Sequence, residues 1–233
     1  MEIRLKSKPQ NPIIIEGFPG IGLIGTITTE YLIKHLNAKS IGYIWSKDVS
    51  PVAAIHESKI IQPLEIFYAK KKNIIILHAM TDIKGLEWEI ANILQDLYKM
   101  LKAKEIISIE GIMGESTKSE AYYYTNIPAS SKKLAVKATQ LKEGIIMGVT
   151  AAMLLQDKNM KTTGVFVETH SKLPDSKSAA KIIEVLAGYL NLKIDSKPLL
   201  KAAAEFEGKL KDHVGKLQTA TKTQGNKAVD YMG

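Results

Sequence analysis

Ile13-Ile-Ile-Glu-Gly-Phe-Pro-Gly-Ile-Gly-Leu-Ile-Gly25 is the stretch on which the fold turns. A β-branched run breaks into glycines and then resumes with helical spacing, which spells strand, tight turn, helix. Within it, Gly20-Ile-Gly22-Leu-Ile-Gly25 matches G-x-G-x-x-G. In that pattern the backbone approaches a pyrophosphate closely and the helix N-terminus supplies amide donors. A dinucleotide site is therefore the first expectation to test, with Asp48 near the offset of its ribose-binding acid. Two features depart from the pattern: Phe18-Pro19 precedes the first glycine, and Asp48 lies beyond Ser46-Lys47, past the expected strand end. The competing reading gives the glycines to chain reversal and helix-to-sheet packing.

Working outward, a first strand at residues 2–5 precedes the motif and a helix over residues 21–37 follows it. Residues 40–78 favour strands, punctuated by Pro51 and Pro63, and the continuously apolar Ile74-Ile-Ile-Leu77 reads as a central strand covered on both faces. Leu86, Ile90, Ile93, Leu94, Leu97 and Leu101 fall on one stripe of a long amphipathic helix. Another apolar strand, residues 105–113, runs into the turn Glu110-Gly-Ile-Met-Gly114. Residues 122–126 and 134–138 read as strands around a turn at Pro128, and residues 144–155 as a buried helix with small residues. A strand at 163–169 leads to a helix over 175–191, announced by Pro174 and an Asp175 N-cap. After Pro198, Leu199, Ala203, Phe206, Leu210, His213, Leu217 and Ala220 recur in steps of four and three, a heptad-like seam. That seam suits a helix docked on its own domain or a contact between subunits. Residues 221–227 have the composition of a flexible linker.

The fold class this implies is α/β, a mixed sheet flanked by helices with a C-terminal helical extension. The division reads as a core over residues 1–195, an amphipathic helix over 196–220 and a tail over 221–233. With 233 residues and 45% hydrophobic side chains, the chain can fill a sizeable core. No apolar run approaches the roughly 20 residues of a membrane helix, and the N-terminus does not resemble a signal peptide, so a soluble, cytoplasmic protein is expected. Zero cysteines remove thiol nucleophiles and thiolate metal sites, and five scattered histidines offer no ligand spacing, so no metal is expected. The formal charge of +8 invites nucleic acid, yet Arg4 is the sole arginine and bidentate phosphate or guanine recognition is nearly absent. Nucleic-acid binding is therefore not expected.

An enzyme reading gathers His56, Glu57, Asp82, Glu110, Glu115, Glu168 and His170, several of them at strand ends where acids and bases converge. None has a diagnostic spacing, and Glu168-Thr-His170 is the best of the set. Ser130-Ser-Lys-Lys133 fits S-x-x-K, a chance match in so lysine-rich a chain. There is no G-x-S-x-G, H-E-x-x-H or phosphate loop.

Four blocks in order carry a resemblance: Glu16-Gly-Phe-Pro-Gly-Ile-Gly-Leu-Ile-Gly25, Glu110-Gly-Ile-Met-Gly114, residues 144–155, and Val167-Glu-Thr-His-Ser-Lys-Leu-Pro-Asp175. Together they resemble the proteasome assembly chaperone family, second type, over residues 10–195. The resemblance implies a core similar to the purine nucleoside phosphorylase and hydrolase arrangement, a homo-oligomer with a tetramer as one arrangement, and neither catalysis nor a cofactor. The C-terminal helix and tail are similar to the archaeal B-type branch, which implies binding to 20S proteasome α subunits and ATP-independent activation. On that resemblance Leu199, Ala203, Phe206, Leu210 and Leu217 would join subunits, and Val229, Asp230, Tyr231, Met232 and Gly233 would dock on the α-ring. The tail departs from the hydrophobic-Tyr-any pattern of proteasome activators, because Tyr231 stands third from last after Asp230. The alternative implied by fold is a nucleoside- or nucleotide-binding enzyme.

Overall fold

The β-branched run forms β2 (Ile13–Gly17), which lies mid-sheet between β7 (Ile74–Ala79) and β8 (Glu105–Met113), parallel to both. This computed structural model describes residues 1–56, 58–114, 119–169 and 173–201. Continuing outward from β8 come β11 (Thr162–Thr169), parallel to it, then β9 (Ala121–Thr125), antiparallel, and the short β10 (Thr139–Gln140). On the other side of β7 lie β6 (Leu64–Ala69), β3 (Lys39–Trp45) and β1 (Glu2–Leu5), each antiparallel to its neighbour. Among the described residues the sheet thus has nine strands, a parallel centre with antiparallel wings. A separate ribbon pairs β4 (Ala54–His56) with β5 (Lys59–Ile61).

Parallel strands covered on both faces need apolar side chains throughout, and Ile74 to Leu77 are buried accordingly. On one face, α2 (Glu87–Leu101) packs with α4 (Gly148–Gln156) over Ile14, Leu77 and Ile106. The stripe Ile90, Ile93, Leu94, Leu97 and Leu101 is buried there, as its spacing predicts. On the other face, α1 (Ile24–His35), α3 (Pro128–Leu134) and α5 (Ser176–Leu190) cover Ile15, Ile76, Ile107 and Val165. Asp175 caps α5 as expected, its Oδ1 accepting from the Ser178 N–H at 2.9 Å.

Two expectations change. Residues 134–138 are not a strand, because Pro128 at the start of α3 presets a helical φ and Leu134 is fully buried as its last residue. The two-residue β10 follows only after these residues. The helix expected from residue 144 begins only at Gly148, whose φ of +75° is a left-handed value no helix interior accepts. Residues 144–147 instead run ahead of α4.

At the C-terminal end, the Leu199 N–H donates to the Ser196 carbonyl, and Leu199, 8% exposed, joins the core under α1 and α5. Its side chain is thus occupied within its own domain. Ala203, Phe206, Leu210 and Leu217 lie outside the described residues, as do residues 229–233.

Candidate functional site

From β2 the chain reaches β7 on one side and then, through α2, β8 on the other. The carboxyl ends of these strands therefore sit at a topological switch point with α1 and α2 on opposite faces. A cleft of about 720 Å³ opens there. It is walled by Phe18, Ile21, Met113, Ile145, Met147 and Phe166. Ile145, 88% exposed, and Met147, 70% exposed, present apolar surface at its mouth.

The glycine motif borders this cleft, and its close contacts explain the glycines without a ligand. A Cβ on Gly17 would stand 2.4 Å from the Gly25 carbonyl oxygen, so the strand end and the first turn of α1 touch backbone to backbone. Gly22 holds φ at +67° in the short 3-10 turn at Ile21–Leu23 that joins them. Asp48 does not meet the motif, because β6 and β7 stand between β3 and β2. The dinucleotide expectation fails at that residue.

Charge argues against phosphate as well. Asp82, Glu87, Glu110, Glu143 and Glu168 line the cleft beside the buried Glu16, against Lys84 as the single Lys or Arg among the described lining residues. An anion entering this field would meet mostly repulsion in a partly desolvated site. Phosphate, nucleotides and dinucleotides are therefore expected to leave the melting temperature unchanged in a thermal-shift assay. A site filled to about 100 times its dissociation constant would add about 2.7 kcal/mol, and a shift of that size would contradict the reading.

The carboxyls are not equivalent. Glu16 and Ser108 face each other across β2 and β8, and Glu110 follows on the same face of β8. Thr150, in the first turn of α4, covers them. Ser108 Oγ contacts both Glu16 Oε1 and Thr150 Oγ1, and the Thr150 hydroxyl reaches Glu110 Oε1. Burial, with Glu110 nearby, raises Glu16 to about 8, despite its Ser108 hydrogen bond. Burial also raises Glu110, which hydrogen bonds from the Thr150 hydroxyl and backbone N–H hold down. On β9, the Tyr122 hydroxyl lies 3.2 Å from Glu168 Oε1.

Of the enzyme candidates, Asp82, Glu110 and Glu168 thus meet at the cleft, whereas His56 sits on the β4–β5 ribbon. Glu57, Glu115 and His170 lie outside the described residues. Ser130 of the S-x-x-K match is buried on α3, with the Tyr189 hydroxyl 2.7 Å from both Ser130 Oγ and Glu105 Oε2. Glu105 opens β8, at the end opposite the cleft, so Ser130 is a packed polar residue and not an accessible nucleophile. Among the described residues, no group of three or more potential ligands is placed to hold a metal ion, and no helix is long and apolar enough to cross a membrane. Sequence reading missed Glu16, Ser108 and Thr150. The available signal was a carboxylate inside Ile13-Ile-Ile-Glu-Gly17, since a polar side chain in a doubly covered strand requires a partner.

Residues 14–214 match the PAC2 family. The chain belongs to that family. The structure is similar to that of Pyrococcus furiosus PbaA, an archaeal homolog of proteasome-assembly chaperone, which superposes with a TM-score of 0.84 at 29% identity over 99% of both chains. P. furiosus PbaB, an archaeal proteasome activator, shares the fold with a TM-score of 0.77 at 22% identity, over 91% of this chain and 97% of that one. An uncharacterised protein of Methanocaldococcus jannaschii is 30% identical over 215 residues, 90% of this chain and 88% of that protein.

Proposed function

We infer that this PAC2 protein is a non-enzymatic, homo-oligomeric chaperone-like partner of the 20S proteasome. It binds α subunits through residues 229–233 and opens the particle to substrates without ATP. The observation that carries the reading is the match to PbaA, a homolog of proteasome-assembly chaperone, at 29% identity over 99% of both chains. The shared fold with PbaB, a proteasome activator, supports the activating part. In this account Tyr231 is the aromatic anchor and each subunit contributes one tail, so several weak contacts act together.

The test is to immobilise the full chain and offer it isolated 20S proteasomes, with and without ATP. Retention of α subunits and faster cleavage of an unstructured peptide, both independent of ATP, are the expected results. Failure to retain α subunits at any salt concentration would overturn the reading. The alternative, a nucleoside- or nucleotide-binding enzyme, keeps the cleft at the strand ends in its favour, but the acidic lining opposes any phosphate it would bind.

A further inference from the structure

Three close contacts tie four side chains together: Glu16 to Ser108, Ser108 to Thr150, and Thr150 to Glu110. Each contact needs one proton between its two oxygens, and the two hydroxyls supply only two. With both carboxyls ionised, Ser108 would donate to Glu16 and Thr150 to Glu110. The Ser108–Thr150 contact would then set bare lone pairs against each other. One carboxyl proton closes the chain: Glu16 donates to Ser108, Ser108 to Thr150, and Thr150 to Glu110.

The direction follows from the helix. The Thr150 backbone N–H also donates to Glu110, which places the negative charge beside the N-terminus of α4. Met147, at the N-cap position, makes no side-chain cap, so Glu110 of β8 performs that task from another element. The proton then belongs on Glu16, 1% exposed and without an oppositely charged partner among the described residues.

We propose that Glu16, Ser108, Thr150 and Glu110 form a one-proton latch that fastens the first turn of α4 to the central strand β8. Loss of the proton frees that turn, and with it the adjoining cleft wall at residues 144–147.

Among the described residues, the other titratable groups near these four side chains lie on β7, β9, β11 and α2 and on the segments that flank them. His78 of β7 hydrogen-bonds Thr29 of α1 on the opposite face of the sheet, at 2.9 Å, and burial lowers it to about 4. Asp82 and Lys84 follow β7, Glu87 starts α2, Glu143 precedes α4, Glu168 ends β11 and Tyr122 lies on β9, all lining the cleft. Residues 148–156 of α4 carry no ionisable side chain. Among the described residues, Glu110 is the group whose charge acts on Glu16.

With the latch closed, burial holds Glu16 near 8, whereas a solvated carboxyl titrates near 4.5. Opening therefore releases a proton between those values. The latch is tightest at low pH, weakens by up to about tenfold per pH unit as pH rises through that window, and changes no further above it.

The experiment follows hydrogen exchange at the Thr150 amide, which donates to Glu110, corrected for the intrinsic pH dependence of exchange, together with the Glu16 side-chain carbonyl carbon by NMR. In the wild type, protection should fall up to about tenfold per unit across the window, and the Glu16 carbon should titrate near its upper end. In Glu16→Gln the amide donates to Ser108 at every pH, so the slope should vanish. An equal slope in Glu16→Gln would overturn the latch. If that variant does not fold, the wild-type carbon decides alone: titration of Glu16 in the ordinary carboxylate range would overturn it.

Discussion

Removing residues 229–233 is expected to abolish retention on proteasome α-rings while leaving the size of the oligomer unchanged. The tail follows a linker-like stretch at residues 221–227 and carries Tyr231, the only aromatic residue after Phe206. A single aromatic anchor supplies modest affinity, but an oligomer presenting one tail per subunit converts later binding events into intramolecular ones. That raises avidity by about two to four orders of magnitude where the linkers span the sites. A monomeric peptide of residues 221–233 should therefore bind about 100 to 10,000 times more weakly than the full oligomer. Tyr231→Ala should remove about 2 kcal/mol or more per tail, as truncation of a seated aromatic does. Pull-down, with light scattering for oligomer size, checks all three variants. Unchanged retention after deletion would separate α-ring binding from the tail.

Gly17→Ala is expected to destabilise the fold by about 3 kcal/mol or more, because overpacking here cannot be relieved by a rotamer change. The added Cβ would stand 2.4 Å from the Gly25 carbonyl oxygen and 2.7 Å from its Cα, backbone atoms locked by β2 and α1. Gly20→Ala is the internal control. Its Cβ would have only the Phe18 carbonyl oxygen nearby, at 4.0 Å, so it should be close to neutral beyond any small backbone effect. Denaturant unfolding measures both. A motif built to cradle a pyrophosphate would make the residue nearest the ligand the sensitive one. A motif built to press a strand end onto a helix makes Gly17 and Gly25 the sensitive pair.

Local patterns carried the secondary structure where they reported burial directly. Ile74 to Leu77 announced a covered strand, and Ile90, Ile93, Leu94, Leu97 and Leu101 a helix face, because each side chain is buried for the reason its spacing gives. Asp175 announced α5 because capping is settled within a few residues. Patterns failed where one residue outweighed its neighbours. Pro128 committed residues 128–134 to a helix, and Gly148 postponed α4 with a left-handed φ. The site was less legible than the fold. Ser108 meets Glu16 across 92 positions and Thr150 across 42, separations no motif spans. Asp82, Glu110 and Glu168 could be named as strand-end acids, but their meeting in one cleft depends on the strand order β7-β2-β8-β11. Glu16 stands inside the decisive stretch, four residues before the glycine motif, and its burial among isoleucines is the informative feature.

The latch concerns residues around β2, β8 and α4, whereas α-ring binding concerns residues 229–233. A Glu16→Gln protein that still binds α-rings, and a tail-deleted protein that still shows the pH-dependent exchange, are both expected.

Particle imaging of the full chain mixed with 20S proteasomes would show α-ring binding and its dependence on the tail in one experiment. The account expects an added body over the outer face of the α-ring, joined to it by several thin connections and absent when residues 229–233 are removed. Proteasomes with bare ends under conditions where the chain is in excess, or a body that persists unchanged on the tail-deleted protein, would contradict it.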